Sequence, residues 1–238
     1  MRITRCYISD ALTIGAQIAL PPQVSHHLAR VLRRGVGDHC ILFNGDSHDY
    51  QARIVQITRK EVSVEIVAAT TPDNESPLDL TLVQGLSRGK KMDFVIQKAT
   101  ELGVKAIVPV MTDRSIVDGD EKRDAHWQGV IVAACEQSGR ACIPRLQSIR
   151  TLNALQPYLP PLATLIKLDP QATQTLASLS RMPSLVLAVG PEGGWGSQDA
   201  DHLGAMGFIS CRMGPRILRT ETAGIAAIAA IQAMIGDL

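Results

Sequence analysis

The sequence predicts an α/β protein with two parts: a small β-rich N-terminal domain and a larger C-terminal domain built on a mostly parallel sheet. Three observations support this. Short alternating polar and apolar runs follow one another closely up to about residue 71, which is typical of a small β-barrel. From Leu78 onward, apolar strand-like runs alternate with helical patterns, which indicates a parallel sheet. The polar segment 72–77, with a proline at each end, is interpreted as a linker. The predicted domains are therefore residues 1–71 and 78–238.

The N-terminal domain has three predicted strands, 40–43, 50–57 and 62–67. Asn44-Gly45 lies between the first two and is a strong turn signal. The run from His26 to Arg34 has a helical pattern with Leu28, Val31 and Leu32 on its apolar side. We expect a short helix there, packed on the strands.

The C-terminal domain has five predicted strands, because a short apolar run bounded by turn residues is typical of a strand buried on both faces. These strands are 79–84, 105–110, 163–168, 184–189 and 208–213. The predicted helices are 90–102, 124–138, 172–179, 198–206 and 220–235.

Composition excludes several classes of protein. Aromatic residues make up only 3% of the chain and the net charge is +1, so an RNA site must be a local basic patch rather than an aromatic stacking surface. The five cysteines form no CxxC pair, which argues against a zinc site. No segment has the pattern of a signal peptide. The most apolar tract, 223–231, is shorter than the roughly 20 residues of a membrane span. We therefore expect a cytoplasmic protein with no bound metal and no membrane partner.

Two glycine-marked loops follow the last two predicted strands. The first is Gly190-Pro191-Glu192-Gly193-Gly194 and the second runs from Met213 to Ala223 as MGPRILRTETA. Ligands of open α/β sheets bind at the carboxyl ends of strands, and glycine lets a backbone approach a ligand closely. Both loops are expected to line one small-molecule site, although the first alone would also suit a tight strand-to-helix turn.

These loops resemble the motifs of the RsmE family, SPOUT-class methyltransferases that methylate N3 of a uridine in small-subunit ribosomal RNA. Further matching motifs are distributed over nearly the whole chain: HHLARVLR at 26–33, RGKKMD at 88–93, KATELGV at 98–104 and EQSGR at 136–140. The chain departs from the family pattern in two places. After the first loop it has Gly196, Ser197 and Asp199, where a helix cap is still expected. The second motif begins with Met213 in place of leucine, a volume-conserving change.

The resemblance implies a PUA-like RNA-binding barrel at the N-terminus and a SPOUT domain with a trefoil knot at the C-terminus. It also implies a homodimer that uses S-adenosyl-L-methionine and acts on 16S rRNA or the small ribosomal subunit. The implied cofactor site consists of Leu168, Gly190, Pro191, Glu192, Gly193, Gly194, Met213, Gly214, Ile217, Leu218, Thr222 and Ala223.

Three residues are candidates for catalysis. N3 of uridine is an imide nitrogen that must lose its proton, and negative charge then develops on the carbonyl oxygens, where a cation is stabilising. Arg219 lies beside the second loop at a helix start and suits this role. Glu221 either orients an arginine, accepts a proton, or is simply an acid in the first helical turn that the helix dipole stabilises. Arg140 either contacts the target nucleotide or caps the end of its helix.

The candidate RNA-binding residues are cations in three segments: His27, Arg30, Arg33, Arg34, Arg88, Lys90, Lys91 and Arg114. The alternative interpretations are a solvated helix face for the first four and a basic helix start for 88–91. The run 85–91 is not a phosphate-binding Walker A loop, because its spacing is one residue short and Lys91 replaces the metal-binding Ser or Thr. Two other functions stay open: methylation of a ribose 2′-hydroxyl or another base, and a non-catalytic RNA-binding factor for ribosome assembly.

Overall fold

The computed structural model describes residues 3–115 and 121–238. The chain forms two compact units. The first comprises Met1–Glu75 together with Cys135–Ile143, and the second comprises Ser76–Ala134 together with Pro144–Leu238. Asp118 and Asp120, which follow Arg114 in sequence, lie outside the described residues.

The first unit contains a five-stranded sheet. Its elements are β1 (Arg5–Tyr7), β2 (Gln17–Ala19), α1 (Pro22–His26), β3 (His39–Phe43), β4 (Asp49–Ile57) and β5 (Val62–Thr70). The strand order is β1-β3-β4-β5-β2, with β1 parallel to β3 and the other pairs antiparallel. The three predicted strands are confirmed. Successive side chains of a strand point to opposite faces of the sheet, so every second side chain faces the core. Leu42, Ile54 and Val64 are examples.

The predicted helix at 26–34 is shorter than expected. Helix α1 ends at His26 and continues as one π-helical turn, His27–Val31. Arg33 then adopts a left-handed backbone with φ of 52°, which ends the helix because a right-handed helix requires φ near −63°.

The second unit contains a sheet whose strand pairs are all parallel among the described residues. Its elements are β6 (Asp79–Gly85), α2 (Lys91–Glu101), β7 (Ala106–Met111), α3 (Glu121–Ser138), β8 (Arg145–Leu146), β9 (Arg150–Thr151), β10 (Thr164–Leu168), β11 (Ser184–Val189), α4 (Ser197–Ala205), β12 (Ile209–Cys211) and α5 (Thr220–Ile235). The order is β12-β10-β11-β6-β7-β8, and β9 pairs with β7. Helix α3 contributes its last residues to the first unit.

All five predicted strands of this unit are confirmed, and so are four of the five predicted helices. The helix predicted at 172–179 is wrong, since only a short 3₁₀ turn, Leu176–Ser178, forms there. Thr175 is extended and forms a parallel bridge with Arg212. Two backbone hydrogen bonds support the bridge, from Arg212 to Gln174 and from Leu176 to Arg212. Pairing with the chain after β12 therefore prevails over the local helical pattern. The trefoil knot implied by the resemblance stays a prediction.

Strand register places both glycine loops at one edge of the sheet. Val189, the last residue of β11, pairs with Gln84 of β6. Leu168, the last residue of β10, pairs with Cys211 of β12. Parallel strands end on the same side of a sheet, so the loops after β11 and β12 begin at the same edge, separated by the end of β10. No helix within 3–115 and 121–238 is long and apolar enough to cross a membrane.

Candidate active site

A cavity of about 820 Å³ lies at this edge of the sheet, entirely within the second unit. Its volume is in the range typical of small-molecule sites. Every predicted cofactor residue except Thr222 lines it. The lining also includes residues that the sequence did not single out, above all Lys167, Asp169, Trp195 and Thr220. The structure thus brings the two loops together around one space.

Glycine is required at two positions of this site. A Cβ on Gly85, at the end of β6, would lie 2.6 Å from Pro191 Cδ and 2.7 Å from its backbone nitrogen, so the first loop could not approach the strand. Gly194 has a φ of 69°, and a Cβ there would meet no protein atom within 4 Å. The backbone of Gly194 therefore borders open space that a side chain would occupy.

A buried hydrogen-bond network connects β6, the first loop and α5. The amide nitrogen of Gln84 donates to Gly85 O at 3.0 Å and to Thr220 Oγ1 at 3.1 Å. The Thr220 hydroxyl in turn donates to Gly190 O at 2.5 Å. Gln84 is fully buried and Thr220 is 6% exposed. Because buried polar groups are costly unless paired, this network fixes the start of the first loop against the start of α5.

Helix geometry explains why Thr220, and not Thr222, lines the cavity. Residues three apart on a helix share a face, whereas residues two apart point to nearly opposite sides. Thr220 and Ala223 therefore both border the cavity, and Thr222 is exposed outside it. The prediction for Thr222 thus has no support from its position. Both threonines are in the second loop motif. Their positions relative to the cavity differ because α5 begins at Thr220.

Glu192 of the first loop is held by the first residue of α2 and by the segment before that helix. Lys91 Nζ lies 3.0 Å from its carboxylate, and the backbone N–H of Arg88 donates to the same oxygen at 3.2 Å. Burial alone would raise the pKa of Glu192, but the hydrogen bonds from its own backbone, from Lys91 and from Arg88 together lower it. This pairing gives the basic helix start a structural role. Arg88 and Lys90 themselves have exposed side chains.

Cations outnumber acids around the cavity. The cations are Lys91, Arg114, Lys167, Arg212, Arg216 and Arg219, and the acids are Asp169 and Glu192. Besides Lys91, two of these cations stabilise the site through backbone contacts. Arg114 donates to Gly193 O at 2.5 Å, and buried Lys167 donates to Ala200 O at 3.2 Å. Trp195 closes one side by donating its indole N–H to Leu168 O at 3.2 Å.

The three catalytic candidates occupy different places. Arg219 lines the cavity. Glu221 does not, and its Oε2 lies 3.9 Å from Lys91 Nζ, buried without a hydrogen bond. Arg140 belongs to the first unit, where its guanidinium forms two hydrogen bonds with Glu75, at 2.8 and 2.7 Å. This pairing connects the end of α3 to Glu75, a structural role different from the helix cap that the sequence suggested. The catalytic assignment of Arg140 stays a prediction.

The predicted RNA-binding cations of the first unit lie on its surface. His27, Arg30 and Arg33 are exposed. Arg34 is half-buried and donates to Thr4 Oγ1 at 3.4 Å. These positions are compatible with contact to a polyanion, and the assignment stays a prediction.

Comparison with known proteins identifies the family. A family model described as an RNA methyltransferase domain matches residues 74–232, and one described as an RNA methyltransferase PUA domain matches residues 20–67. The ribosomal RNA small subunit methyltransferase E of Buchnera aphidicola subsp. Schizaphis graminum is 34% identical, over 100% of this chain and 98% of its own. The chain belongs to the ribosomal RNA small subunit methyltransferase E family. The family's protein from Bacillus subtilis is 28% identical over 97% of this chain and 94% of its own.

Solved structures of methyltransferases agree with this assignment. The methyltransferase E from Neisseria gonorrhoeae, crystallised bound to S-adenosyl methionine, is 38% identical with a TM-score of 0.94 and covers 100% of both chains. A methyltransferase from Legionella pneumophila, in complex with the same cofactor, is 35% identical with a TM-score of 0.93, again over 100% of both chains.

One departure from the methyltransferase E motif is resolved by the structure. Helix α4 begins at Ser197 after the N-cap residue Gly196. The backbone N–H of Gly196 donates to Asp199 Oδ2 at 3.0 Å, which is half of a capping box. The same carboxylate accepts the backbone N–H of Asp113 at 3.1 Å. The expected cap therefore exists, and Asp199 additionally connects α4 to the segment after β7.

Proposed function

We propose that this protein transfers a methyl group from S-adenosylmethionine to N3 of a uridine in 16S rRNA of the small ribosomal subunit. The observation that carries the proposal is the cavity formed by the two glycine loops, in a chain whose solved family members bind S-adenosyl methionine. The residues present suit this cofactor. The bare backbone at Gly194 leaves space that a side chain would fill, and the loop backbones supply N–H and C=O groups for a nucleoside.

The cofactor, when bound, supplies an electrophilic methyl group on a sulfonium. The chain's own residues then have two tasks. Gln84 and Thr220 hold the first loop in place, so that the cavity is preorganised and less ordering is required on binding. Arg219 lies where a cation can stabilise the negative charge that develops on the uracil oxygens. We retain Glu221 as the candidate that orients this arginine or accepts the N3 proton, acting from beside Lys91 rather than from the cavity wall.

We further propose a cytoplasmic homodimer. Support comes from apolar side chains left exposed in the second unit near the site and on the last helix, namely Ile217, 86% exposed, and Met234, 41% exposed. Exposed apolar side chains are available for a partner to cover, and the homodimer itself is what the resemblance to the RsmE family implies. Light scattering of the purified protein at several concentrations measures the oligomeric state.

Nucleoside mass spectrometry tests the reaction directly. Small-subunit rRNA from a strain lacking the gene should lack 3-methyluridine at one position, and complementation should restore it. A missing ribose methylation in its place would assign the alternative substrate. Unchanged rRNA modification, together with no cofactor binding in calorimetry, would favour a non-catalytic assembly factor.

A further inference from the structure

Lys167 is the most deeply buried of the cations that line the cavity of the second unit. It lies on β10 and is 7% exposed, whereas the four arginines of the lining are exposed and Lys91 is half-buried. The Lys167 ammonium donates to Ala200 O at 3.2 Å, and Ala200 itself lines the cavity. The positive charge therefore lies at the cavity wall, in a position that water reaches poorly.

No acid neutralises this charge. Lys167 forms no ion pair within residues 3–115 and 121–238, and its neighbours in the sheet, Ala188 and Ser210, are uncharged. The buried carboxylate of Asp199 on α4 accepts backbone N–H groups instead. An ammonium has three N–H donors, of which Ala200 O accepts one. A buried cation without a counter-ion makes the adjacent cavity electrically positive, because salt and water screen it little.

The cofactor and its product differ by one charge. S-adenosylmethionine has a sulfonium cation, and S-adenosylhomocysteine has a neutral thioether in its place. In the proposed reaction the S–CH3 bond breaks with its electron pair left on sulfur, the methyl group bonds to N3 of the uridine, and N3 releases its proton. Both ligands keep the same adenosine, amino and carboxylate groups. A protein charge that does not touch the methyl group therefore distinguishes them through the sulfonium alone.

We propose that Lys167 makes the cavity bind S-adenosylhomocysteine more tightly than S-adenosylmethionine. The inference rests on the proposed function and deepens it, since it assigns Lys167 as the residue that discriminates between cofactor and product. A cavity of about 820 Å³ is roughly 12 Å across, close to the Debye length of about 8–10 Å in physiological salt. A sulfonium bound in it is repelled by Lys167, and methyl transfer removes that repulsion. Product that accumulates then occupies the cavity, so the enzyme is inhibited until the product is removed.

Asp169 supplies a charge of the opposite sign in the same cavity. It lines the cavity two residues after Lys167 and is half-buried. Its Oδ1 accepts the backbone N–H of Gln171 at 2.9 Å, and it forms no ion pair in the part of the chain that the structure describes. A carboxylate here favours the sulfonium, but solvent screens it more than the buried ammonium. The two residues therefore predict effects of opposite sign and unequal size.

Calorimetric titration of full-length variants with both ligands tests the proposal, and the measured quantity is the ratio of the cofactor Kd to the product Kd. Lys167→Gln removes the charge and keeps a neutral N–H donor, whereas Lys167→Arg keeps the charge. Arg181→Gln is the matched control, because Arg181 is an exposed cation of the same unit that precedes β11, at the end of that strand away from the cavity. Asp169→Asn tests the opposite sign. Sinefungin, which has an amine in place of the methylated sulfur, tests charge against methyl bulk.

The expected change follows from the size of the cavity. Unit charges roughly 10 Å apart, at an effective dielectric constant of about 20 to 80, change an affinity about two- to fifteenfold. We expect Lys167→Gln to lower the ratio about fivefold by tightening S-adenosylmethionine and sinefungin, with the product Kd changed less than about twofold. Asp169→Asn should raise the ratio about twofold, and Lys167→Arg and Arg181→Gln should leave it within about twofold. The effect of Lys167→Gln should persist from about 50 to about 300 mM salt, because the charge is buried.

Three results would overturn the proposal. An unchanged ratio in Lys167→Gln is the first. The second is an equal change in both Kd values, which would show that Lys167 contacts a group that the ligands share. The third is an equal shift in Arg181→Gln, which would show that only net charge matters. Should Lys167→Gln not fold, Lys167→Met gives the same ratio, since an apolar side chain of similar volume is often tolerated in place of a buried charge.

Nucleoside mass spectrometry separates this inference from the proposed function. A lowered ratio in Lys167→Gln without any methylated nucleoside in the RNA would refute the proposed function and leave the role of Lys167 standing. Methylated nucleoside together with an unchanged ratio would refute the role of Lys167 alone. Failure of the unmodified protein to bind either ligand would refute both.

Discussion

Replacement of Thr220 by valine tests whether the buried network preorganises the cofactor loop. Valine has nearly the same shape as threonine but no hydroxyl, so the change removes one of the acceptors of the Gln84 amide and the donor to Gly190 O. The amide keeps Gly85 O at 3.0 Å and Val189 O at 3.5 Å. Thr220→Ser is the matched control, because it keeps the hydroxyl and loses only a methyl group.

The expected magnitude follows from burial. Gln84 is 0% exposed, so the amide hydrogen that was bonded to the hydroxyl has no access to water and is left with the long contact to Val189 O at 3.5 Å. Because a contact of that length replaces the lost hydrogen bond only in part, the cost stays within the about 1–3 kcal/mol of an unpaired buried donor. Gly190 is only half-buried, and water can replace its lost partner at little cost. We expect Thr220→Val to lower the free energy of unfolding by about 2 kcal/mol.

Part of this loss should be visible in binding. If the first loop is no longer held, it must be ordered when the cofactor binds, and about 1 kcal/mol of ordering corresponds to a Kd roughly fivefold higher. Calorimetric titration of S-adenosylmethionine at a temperature where the variant is fully folded measures this, and urea unfolding measures stability. Thr220→Ser should remain within about twofold of the unmodified Kd.

A double-mutant cycle with Gln84→Leu assigns the effect to the network. Groups that act through one hydrogen bond should show a coupling of about 0.5–3 kcal/mol, because the second change removes a partner that is already lost. Unmodified cofactor affinity and stability in Thr220→Val would refute the reasoning. So would a loss in both quantities of equal size for Thr220→Ser, since that would point to packing of the methyl group.

Three other predictions concern the cavity and the core. Gly194→Val should abolish cofactor binding, because the side chain enters open space and strains a backbone with φ of 69°; calorimetry with a folded variant of unchanged affinity would contradict this. Arg219→Ala should slow single-turnover methyl transfer by about a hundredfold while changing cofactor Kd much less, and an unaffected rate would remove Arg219 from the mechanism. Burial raises the pKa of Cys6 to about 12 from 9.0, so its stabilising contribution is present below pH 9 and is lost as pH rises towards 12. Urea unfolding should therefore show stability falling above pH 9 by about 1.4 kcal/mol per pH unit for this thiol, and the slope should be shallower in Cys6→Ala.

Among the described residues, the sequence by itself determined three of the five strands of the first unit, five of the seven strands of the second, four helices and the identity of the two loops that line the cavity. The short strands β1, β2, β8 and β9 were not predicted. The predicted features are local. Continuous apolar runs such as 184–189 become strands buried on both faces because no other structure buries them so well. Two parallel strands that end in glycine loops then meet at one edge of the sheet without further information.

Only the tertiary structure decided which side chains hold that site. Gln84 and Thr220 are 136 residues apart, and the local sequence around either residue does not predict that the other is its hydrogen-bond partner. The same holds for Gly85 against Pro191 and for Lys91 beside Glu192. Sequence periodicity reports which face of an element is buried, whereas a hydrogen bond or a close contact depends on the packing of elements far apart in the chain.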